Sequence, residues 1–214
     1  MTPPDRFDLD EYVLLLQAAR EGGYRFAGFD RSPEPGDVIL RHDVDLSLEA
    51  ALAMAELERA YGARSTYFLM TESVFYNLAS PVGVEAIQRL RDLGHGVGLH
   101  AVWPGAELDE RFDAVVAWHN PDPEYMREPL ADGTPNVMEE RFARHYRSDS
   151  NQHWRQGSPR EDLAAGRFEW LQLLTHPEIW FFEGDTMGQT MRRMLEDERE
   201  TRLGYLRHDR INLD

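Results

Sequence analysis

The sequence contains no cysteine and no lysine, and each absence removes a class of chemistry. Without cysteine there are no disulfides and no thiolate nucleophiles or ligands, so any bound metal must be held by histidine, aspartate or glutamate. Without lysine there is no Schiff-base catalysis and no Walker-type phosphate loop.

Positive charge and long apolar runs are also scarce. The 214 residues include 23 basic and 39 acidic residues, which gives a net charge of -16. The chain therefore lacks the basic surface that nucleic acids and anionic membranes require, and we expect neither as a partner. No run approaches the roughly 18 apolar residues that span a membrane. The first residues, Met1 to Arg6, lack the basic-then-apolar pattern of a secretory signal, so we expect a cytoplasmic protein.

Hydrophobic residues make up 42% of the chain, which suffices for one core, and we expect a single domain over residues 1–214. Short apolar runs alternate with amphipathic segments, and residues 120–136 form a proline-rich loop. The runs predict strands over residues 38–40, 65–70, 96–100, 112–118, 141–146 and 170–174, and the segments predict helices over residues 8–22, 48–61, 82–93 and 187–199. This alternation indicates an α/β fold around a parallel sheet.

Candidate site residues fall where the predicted strands end. Asp43 and Asp45 follow the first of these strands, His100 and His119 end the third and fourth, and His176 follows the last. In parallel sheets and barrels, ligands gather at the carboxyl ends of the strands. We therefore expect these five side chains to share one site.

The residue types suggest a division of roles within this site. Asp45, His100 and His119 are candidate metal ligands, because zinc commonly takes three protein N or O ligands and keeps a position for water. Asp43 falls on the same side of an extended chain as Asp45 and is a candidate general base beside the cation. His176 is a candidate general acid that protonates a leaving amine.

Each of these assignments has a structural alternative. The two aspartates could be turn or helix-capping residues, because a helix follows them directly. His119 could hydrogen-bond a carboxylate or pack the pocket instead of binding a metal. His176 could be a partly buried structural histidine.

A polar and aromatic cluster lies between the predicted strands over residues 141–146 and 170–174. Asp149 could orient His176 or bind substrate, and Trp154 could stack on the face of a sugar, although either residue could be loop structure. We expect Arg41, Ser150 and Trp154 to contact the substrate.

Several of these motifs, in this order, resemble those of the polysaccharide deacetylase superfamily, the NodB-homology type of carbohydrate esterase family 4. The similarity is closest to its cytoplasmic branch and spans about residues 38–180. The matching segments are Leu40–Asp45, Ser65–Phe68, Gly94–His100, Trp118–Pro121, Tyr146–Ser150 with Trp154, and Leu174–Pro177.

The resemblance implies a distorted (β/α)7 barrel that binds a divalent metal, usually zinc. By the same resemblance, Asp43 matches the catalytic base and Asp45 the metal-binding aspartate. His100 matches the first metal histidine, His176 the catalytic acid, and Asp149 the aspartate that supports this acid.

Two departures from the family pattern affect these expectations. The family places its second metal histidine four residues after the first, where this chain has Pro104. His119 is our substitute, although it lies near the place of an arginine motif that steadies the base in the family. The short segment after His100 also predicts a shortened or missing helix. We therefore expect an incomplete barrel, with a pocket that is open or completed by a partner chain in a homo-oligomer.

The leading functional hypothesis is metal-dependent hydrolysis of an N-acetyl group, or of a related amide, on a carbohydrate or nucleotide sugar. Hydrolysis of another C–N bond, such as that of a ureide, remains open. A second class is a non-catalytic relative that binds glycan or metal in a polysaccharide biosynthesis system. The third alternative is an acidic α/β domain whose strand-end histidines are coincidental and lie apart in space.

Overall fold

The computed structural model describes residues 6–209 and residue 211, so most of the segment behind the expectation about a secretory signal lies outside the described residues. In the described part, no helix is both long and apolar enough to cross a bilayer. The helices are α1 (Leu9–Glu21), α2 (Leu48–Ala60), α3 (Pro81–Asp92), α4 (Glu140–Ala143), α5 (Arg160–Ala164), α6 (Pro177–Phe181) and α7 (Met187–His208). The strands are β1 (Arg25–Phe26), β2 (Asp37–Val44), β3 (Ser65–Leu69), β4 (Gly96–Ala101), β5 (Val116–Trp118), β6 (Tyr146–Ser148) and β7 (Leu171–Thr175).

The seven strands form one parallel sheet, in the order β5-β4-β3-β2-β7-β6 with β1 beside the start of β2. The sheet curls into a half-barrel, which confirms the expected α/β fold and the incomplete barrel. The central strand β2 is buried along its whole length, as is usual for a parallel strand that is covered on both faces. The carboxyl ends of β2, β4, β5 and β7 meet at one edge, so the topology concentrates the candidate residues there.

Two local features of the sequence shape the elements around the site: a serine that caps α2 and a glycine that lets β4 pack closely against β3. Ser47 caps α2 by accepting a hydrogen bond from the backbone N–H of Ala50 at 3.1 Å. Helix α2 therefore begins three residues after Asp45. On β4, a Cβ at Gly98 would lie 2.4 Å from a ring carbon of Phe68, so only glycine allows this close approach of the β3 ring.

Other predictions of secondary structure were wrong in part. The expected strand over residues 141–146 is instead the single-turn helix α4 followed by β6, because one turn is too short to display a helical repeat. The strand predicted over residues 112–118 is shorter, and α7 continues to His208. No helix lies between β4 and β5, all of whose linking residues are described, so the predicted missing helix is confirmed. Strand β1 and helices α5 and α6 had not been predicted.

Candidate metal centre

The three predicted metal ligands converge at the mouth of the half-barrel. Asp45 directly follows β2, His100 lies in β4 and His119 directly follows β5. Oδ1 of Asp45 lies 3.1 Å from Nε2 of His100 and 3.3 Å from Nδ1 of His119. One ligand atom from each residue lies within 4.8 Å of the others, a spacing at which one cation could contact all three.

A backbone hydrogen bond sets the orientation of His100. Its Nδ1 lies 3.0 Å from the carbonyl oxygen of Ala117 on β5, and a carbonyl can only accept, so Nδ1 carries the proton. In the neutral ring, Nε2 then directs its lone pair toward the Asp45 carboxylate. Two electron-rich atoms at 3.1 Å need either a second proton on the ring or a cation beside them. This arrangement, in which a ligand histidine donates its other N–H to an outer acceptor, is common around metals.

The electrostatics of the three ligands also suit a cation. Burial acts to raise the pKa of Asp45, but hydrogen bonds from His100 and His119 hold it well below its usual range. The hydrogen bond to Asp45 raises the pKa of His119. The site therefore holds an ionised carboxylate that attracts positive charge, and a divalent cation fits this donor set.

The candidate base Asp43 is held by an arginine on its own strand. Nε of Arg41 donates to Oδ1 of Asp43 at 2.7 Å, and Nη2 donates to Oδ2 at 2.6 Å. Burial acts to raise the pKa of Asp43, yet the Arg41 guanidinium lowers it overall. Oδ2 also lies 3.7 Å from Nε2 of His100, so this carboxylate borders the candidate metal ligands.

The structure shows a protein contact for Arg41, and the substrate contact expected of it stays a prediction. We expected Arg41 to contact substrate, but its side chain is buried, and two of its nitrogens are engaged by Asp43. Residues 41 and 43 share a strand face because side chains alternate, which brings the two groups together. Arg41 thus keeps the Asp43 carboxylate ionised and in a fixed orientation.

The candidate acid His176 is paired with Asp149, as expected. Nδ1 of His176 lies 2.6 Å from Oδ1 of Asp149, and the His176 backbone N–H donates to Oδ2 at 2.9 Å. The indole Nε1–H of Trp180 donates to the same Oδ2 at 2.7 Å. Burial acts to lower the pKa of His176, but the Asp149 carboxylate raises it to about 10. His176 is therefore an imidazolium at neutral pH.

The two remaining substrate candidates differ in position. Ser150 is half-buried just after β6, and its Oγ lies 2.6 Å from Oγ of Ser148. Trp154 was expected to stack on a sugar, but it is only 3% exposed and packs beside Phe7 and Trp180 in the core. Residues 151 and 152 have φ angles of 59° and 54°, and this left-handed turn carries the chain back into the core.

Two buried glutamates near the site had not been predicted. Glu58 on α2 accepts hydrogen bonds at 2.5 to 2.8 Å from Tyr12, His42, Ser65 and Tyr67. The sequence holds a signal for it, because Glu58 continues the apolar stripe of α2. Glu178, two residues after His176, is also buried, and its Oε2 has no hydrogen-bond partner. No sequence pattern singled it out.

Comparisons of the chain with family models, with curated proteins and with solved structures found no match. Its function therefore has to be inferred from the residues of the site.

Proposed function

We propose that the protein is a metal-dependent hydrolase that removes an N-acetyl group, or cleaves a related amide, from a carbohydrate or nucleotide sugar. The observation that carries the proposal is the convergence of three kinds of group. A candidate metal triad of Asp45, His100 and His119 borders an ionised aspartate, Asp43. A protonated histidine, His176, lies at the same edge of the sheet.

The metal triad fits a divalent cation, with zinc as the first candidate. One carboxylate and two imidazoles are ligands that zinc accepts, and three protein ligands leave a position for water or substrate. When bound, such a cation would supply Lewis-acid polarisation of the amide carbonyl and a lower pKa for water. The orientation of His100 by the Ala117 carbonyl supports this assignment.

Asp43 would act as the general base of this reaction. It takes a proton from the attacking water as the new C–O bond to the acyl carbon forms. Its lowered pKa keeps it unprotonated and ready to accept that proton at neutral pH. Because Arg41 engages both carboxylate oxygens, the base is held in one orientation relative to the triad.

His176 would act as the general acid. It donates a proton to the leaving nitrogen as the C–N bond breaks, so the products are acetate and a free amine. Its hydrogen bond to Asp149 directs Nδ1 away from the substrate and leaves Nε2 for proton transfer. The aspartate also stabilises the imidazolium between turnovers, as in other histidine–carboxylate pairs.

We also propose that the chain is a divergent member of the polysaccharide deacetylase superfamily with a reduced (β/α)7 barrel. The ordered strand-end motifs support this relationship, and so does the curled parallel sheet. In this proposal, His119 replaces the second metal histidine, because the position four residues after His100 is Pro104. The loss of a helix after β4 brings β5, and with it His119, next to β4.

Acetate release from N-acetylated sugars by the zinc-loaded protein tests the proposed activity. We expect release by the wild-type chain, none by the chelator-treated protein, and recovery after zinc is restored. His208→Ala, a change on the exposed end of α7, is the matched histidine control and should retain activity. Zinc binding without acetate release from any N-acetylated sugar would instead indicate a non-catalytic glycan- or metal-binding protein.

A further inference from the structure

The two candidate histidine ligands differ in what holds their outer ring nitrogen. Nδ1 of His100 faces the backbone carbonyl of Ala117, and Nε2 faces Asp45. In His119 the nitrogens are exchanged: Nδ1 faces Oδ1 of Asp45 at 3.3 Å, and Nε2 is the outer nitrogen. Nε2 lies 3.2 Å from the side-chain amide of Asn120, the next residue in the chain. In the part of the chain that the structure describes, no other group hydrogen-bonds this nitrogen.

The chemistry of a metal-bound imidazole decides which end of the Asn120 amide must face the ring. If Nδ1 of His119 is the ligand atom, its lone pair is directed at the cation, so the proton of the neutral ring is on Nε2. Nε2–H then needs an acceptor. The amide carries an acceptor, Oδ1, and a donor, Nδ2, and a half-turn about the last side-chain bond exchanges the two.

The contact in the structure suits the other form of the ring. Nδ2 of Asn120 is the atom that lies 3.2 Å from Nε2 of His119, and an N–H donor there matches an Nε2 without a proton. The proton of the neutral ring is then on Nδ1, which donates toward Asp45. One amide can therefore serve both the metal-free and the metal-bound ring, because each of its ends matches one of the two forms.

An unusual backbone conformation accompanies this contact. The φ angle of Asn120 is 42°, in the left-handed region, and Asn151 and Gln152 are the only other described residues besides glycines with positive φ. Glycine adopts this conformation more readily than asparagine, so the turn by itself does not call for an amide. The backbone N–H of His119 donates to the carbonyl of Ala101 at 2.9 Å, which fixes the start of the turn on β4.

We propose that Asn120 is a positioning residue of the metal centre: its amide presents Oδ1 to Nε2 of His119 when a divalent cation binds, and so holds the ring with Nδ1 as the ligand atom. The proposal rests on the candidate metal centre of the proposed function and adds a residue to it. Outer hydrogen bonds of this kind orient ligand histidines and fix their protonated nitrogen. His100 has such a partner in a backbone carbonyl, and Asn120 supplies one for the more exposed His119.

Zinc affinity of the full chain, measured by competition with a chromophoric chelator, is the first test. Asn120→Gly keeps the left-handed backbone and removes the amide, so we expect zinc binding to weaken about tenfold or more. Asn151→Gly makes the same change at a second left-handed asparagine, with a φ of 59°, and should keep the wild-type affinity. Asn120→Asp offers only acceptors to Nε2–H and should bind zinc at least as tightly as the wild type.

Ring-nitrogen NMR of the zinc-loaded protein is the second test, because a change in overall stability does not move its signals in this way. We expect His119 to carry its proton on Nε2 in the wild type and in Asn120→Asp. Exchange of this proton with water should be slow in both, and at least about tenfold faster in Asn120→Gly, where the hydrogen bond is lost. A proton on Nδ1 of zinc-loaded His119 would overturn the proposal.

The outcomes separate the role of Asn120 from the hydrolase. Equal zinc affinity in the wild type and Asn120→Gly overturns the role of Asn120 and leaves the metal centre in place. Zinc binding that depends on Asn120, without acetate release from N-acetylated sugars, supports Asn120 and counts against the hydrolase. No zinc binding by the wild type overturns both.

Discussion

Arg41 and Asp43 form an ion pair with two hydrogen bonds on one face of β2, at 2.7 and 2.6 Å. The pair is buried, so each charge depends on the other for its compensation. It provides an ionised carboxylate at the border of the candidate metal ligands without adding a further metal ligand. The fold therefore keeps the Asp43 carboxylate apart from the three candidate metal ligands.

Asp43→Asn should abolish hydrolysis and retain the metal. The amide cannot accept the water proton as a base does, so we expect kcat to fall by at least about a hundredfold. Metal content measured by mass spectrometry should equal that of the wild type, whereas Asp45→Ala and His100→Ala should lose the metal. Equal metal content in all three variants would refute this division of roles.

His176 should remain protonated at pH 7 in the metal-free protein. Its pKa is raised to about 10 in the folded state, above the usual value near 6.5 of an unfolded histidine. The pairing therefore stabilises the fold fully below about pH 6.5, and this contribution is lost as the pH rises through about 10. Ring-nitrogen NMR shifts report the protonation state directly.

The partner of His176 supplies the control for that titration. Asp149→Asn should lower the pKa of His176, because the charge that stabilises the imidazolium is removed. Asp185→Asn, in the exposed segment before α7, should leave it unchanged. A neutral His176 ring at pH 7 in the wild type contradicts its assignment as the acid.

The buried Glu58 carboxylate should make the fold sensitive to acid. Burial acts to raise its pKa, but attraction to His42 and hydrogen bonds from His42 and Ser65 hold it at about 2. Because the folded pKa lies below the unfolded one, the stabilisation is present above about pH 4.5 and is lost as the pH falls toward 2. It amounts to roughly 3 kcal/mol.

Urea unfolding of Glu58→Gln between pH 7 and pH 3 tests this contribution. We expect a lower free energy of unfolding at pH 7 and a weaker dependence on pH than in the wild type. Glu85→Gln, at an exposed position of α3, should keep the wild-type dependence. The same pH dependence in Glu58→Gln and the wild type is the result that counts against this role.

Glu178 should have the opposite effect on stability. Burial raises its pKa to about 8; attraction to His176 opposes this shift, and repulsion from Asp45 adds to it. The folded pKa lies above the unfolded one, so a penalty develops as the pH rises above about 4.5 and is complete above about 8. Glu178→Gln should raise the free energy of unfolding at pH 9 by roughly 2 kcal/mol or more, and change it little at pH 4. A destabilised variant at pH 9 would contradict this.

The strand ends could be predicted from the sequence because the determining signals are local. Apolar runs before Asp43 and in the segment ending at His100 indicate buried parallel strands, and a parallel sheet brings such ends to one edge. His119 could be placed at that edge for the same reason. The (β/α)7 count could not be verified in this way, because the number of strands and helices that close a barrel depends on tertiary packing.

The directions of individual side chains were less predictable. Trp154 lies in the core because Asn151 and Gln152, shortly before it, adopt left-handed conformations that turn the chain inward. The sequence of an Asn–Gln pair does not predict such a turn. Strand alternation places Arg41 and Asp43 on the same face of β2, so their pairing could be expected. From the sequence alone, a contact between Arg41 and substrate was an equally good expectation, and only the distances show the pair.

The most direct test of the metal centre is an anomalous difference map, recorded at the zinc absorption edge from crystals of the zinc-loaded protein. We predict one peak within about 2.2 Å of Oδ1 of Asp45, Nε2 of His100 and Nδ1 of His119. The absence of a peak between these three atoms, or a peak bound elsewhere on the chain, would contradict the proposed centre and the hydrolase that depends on it.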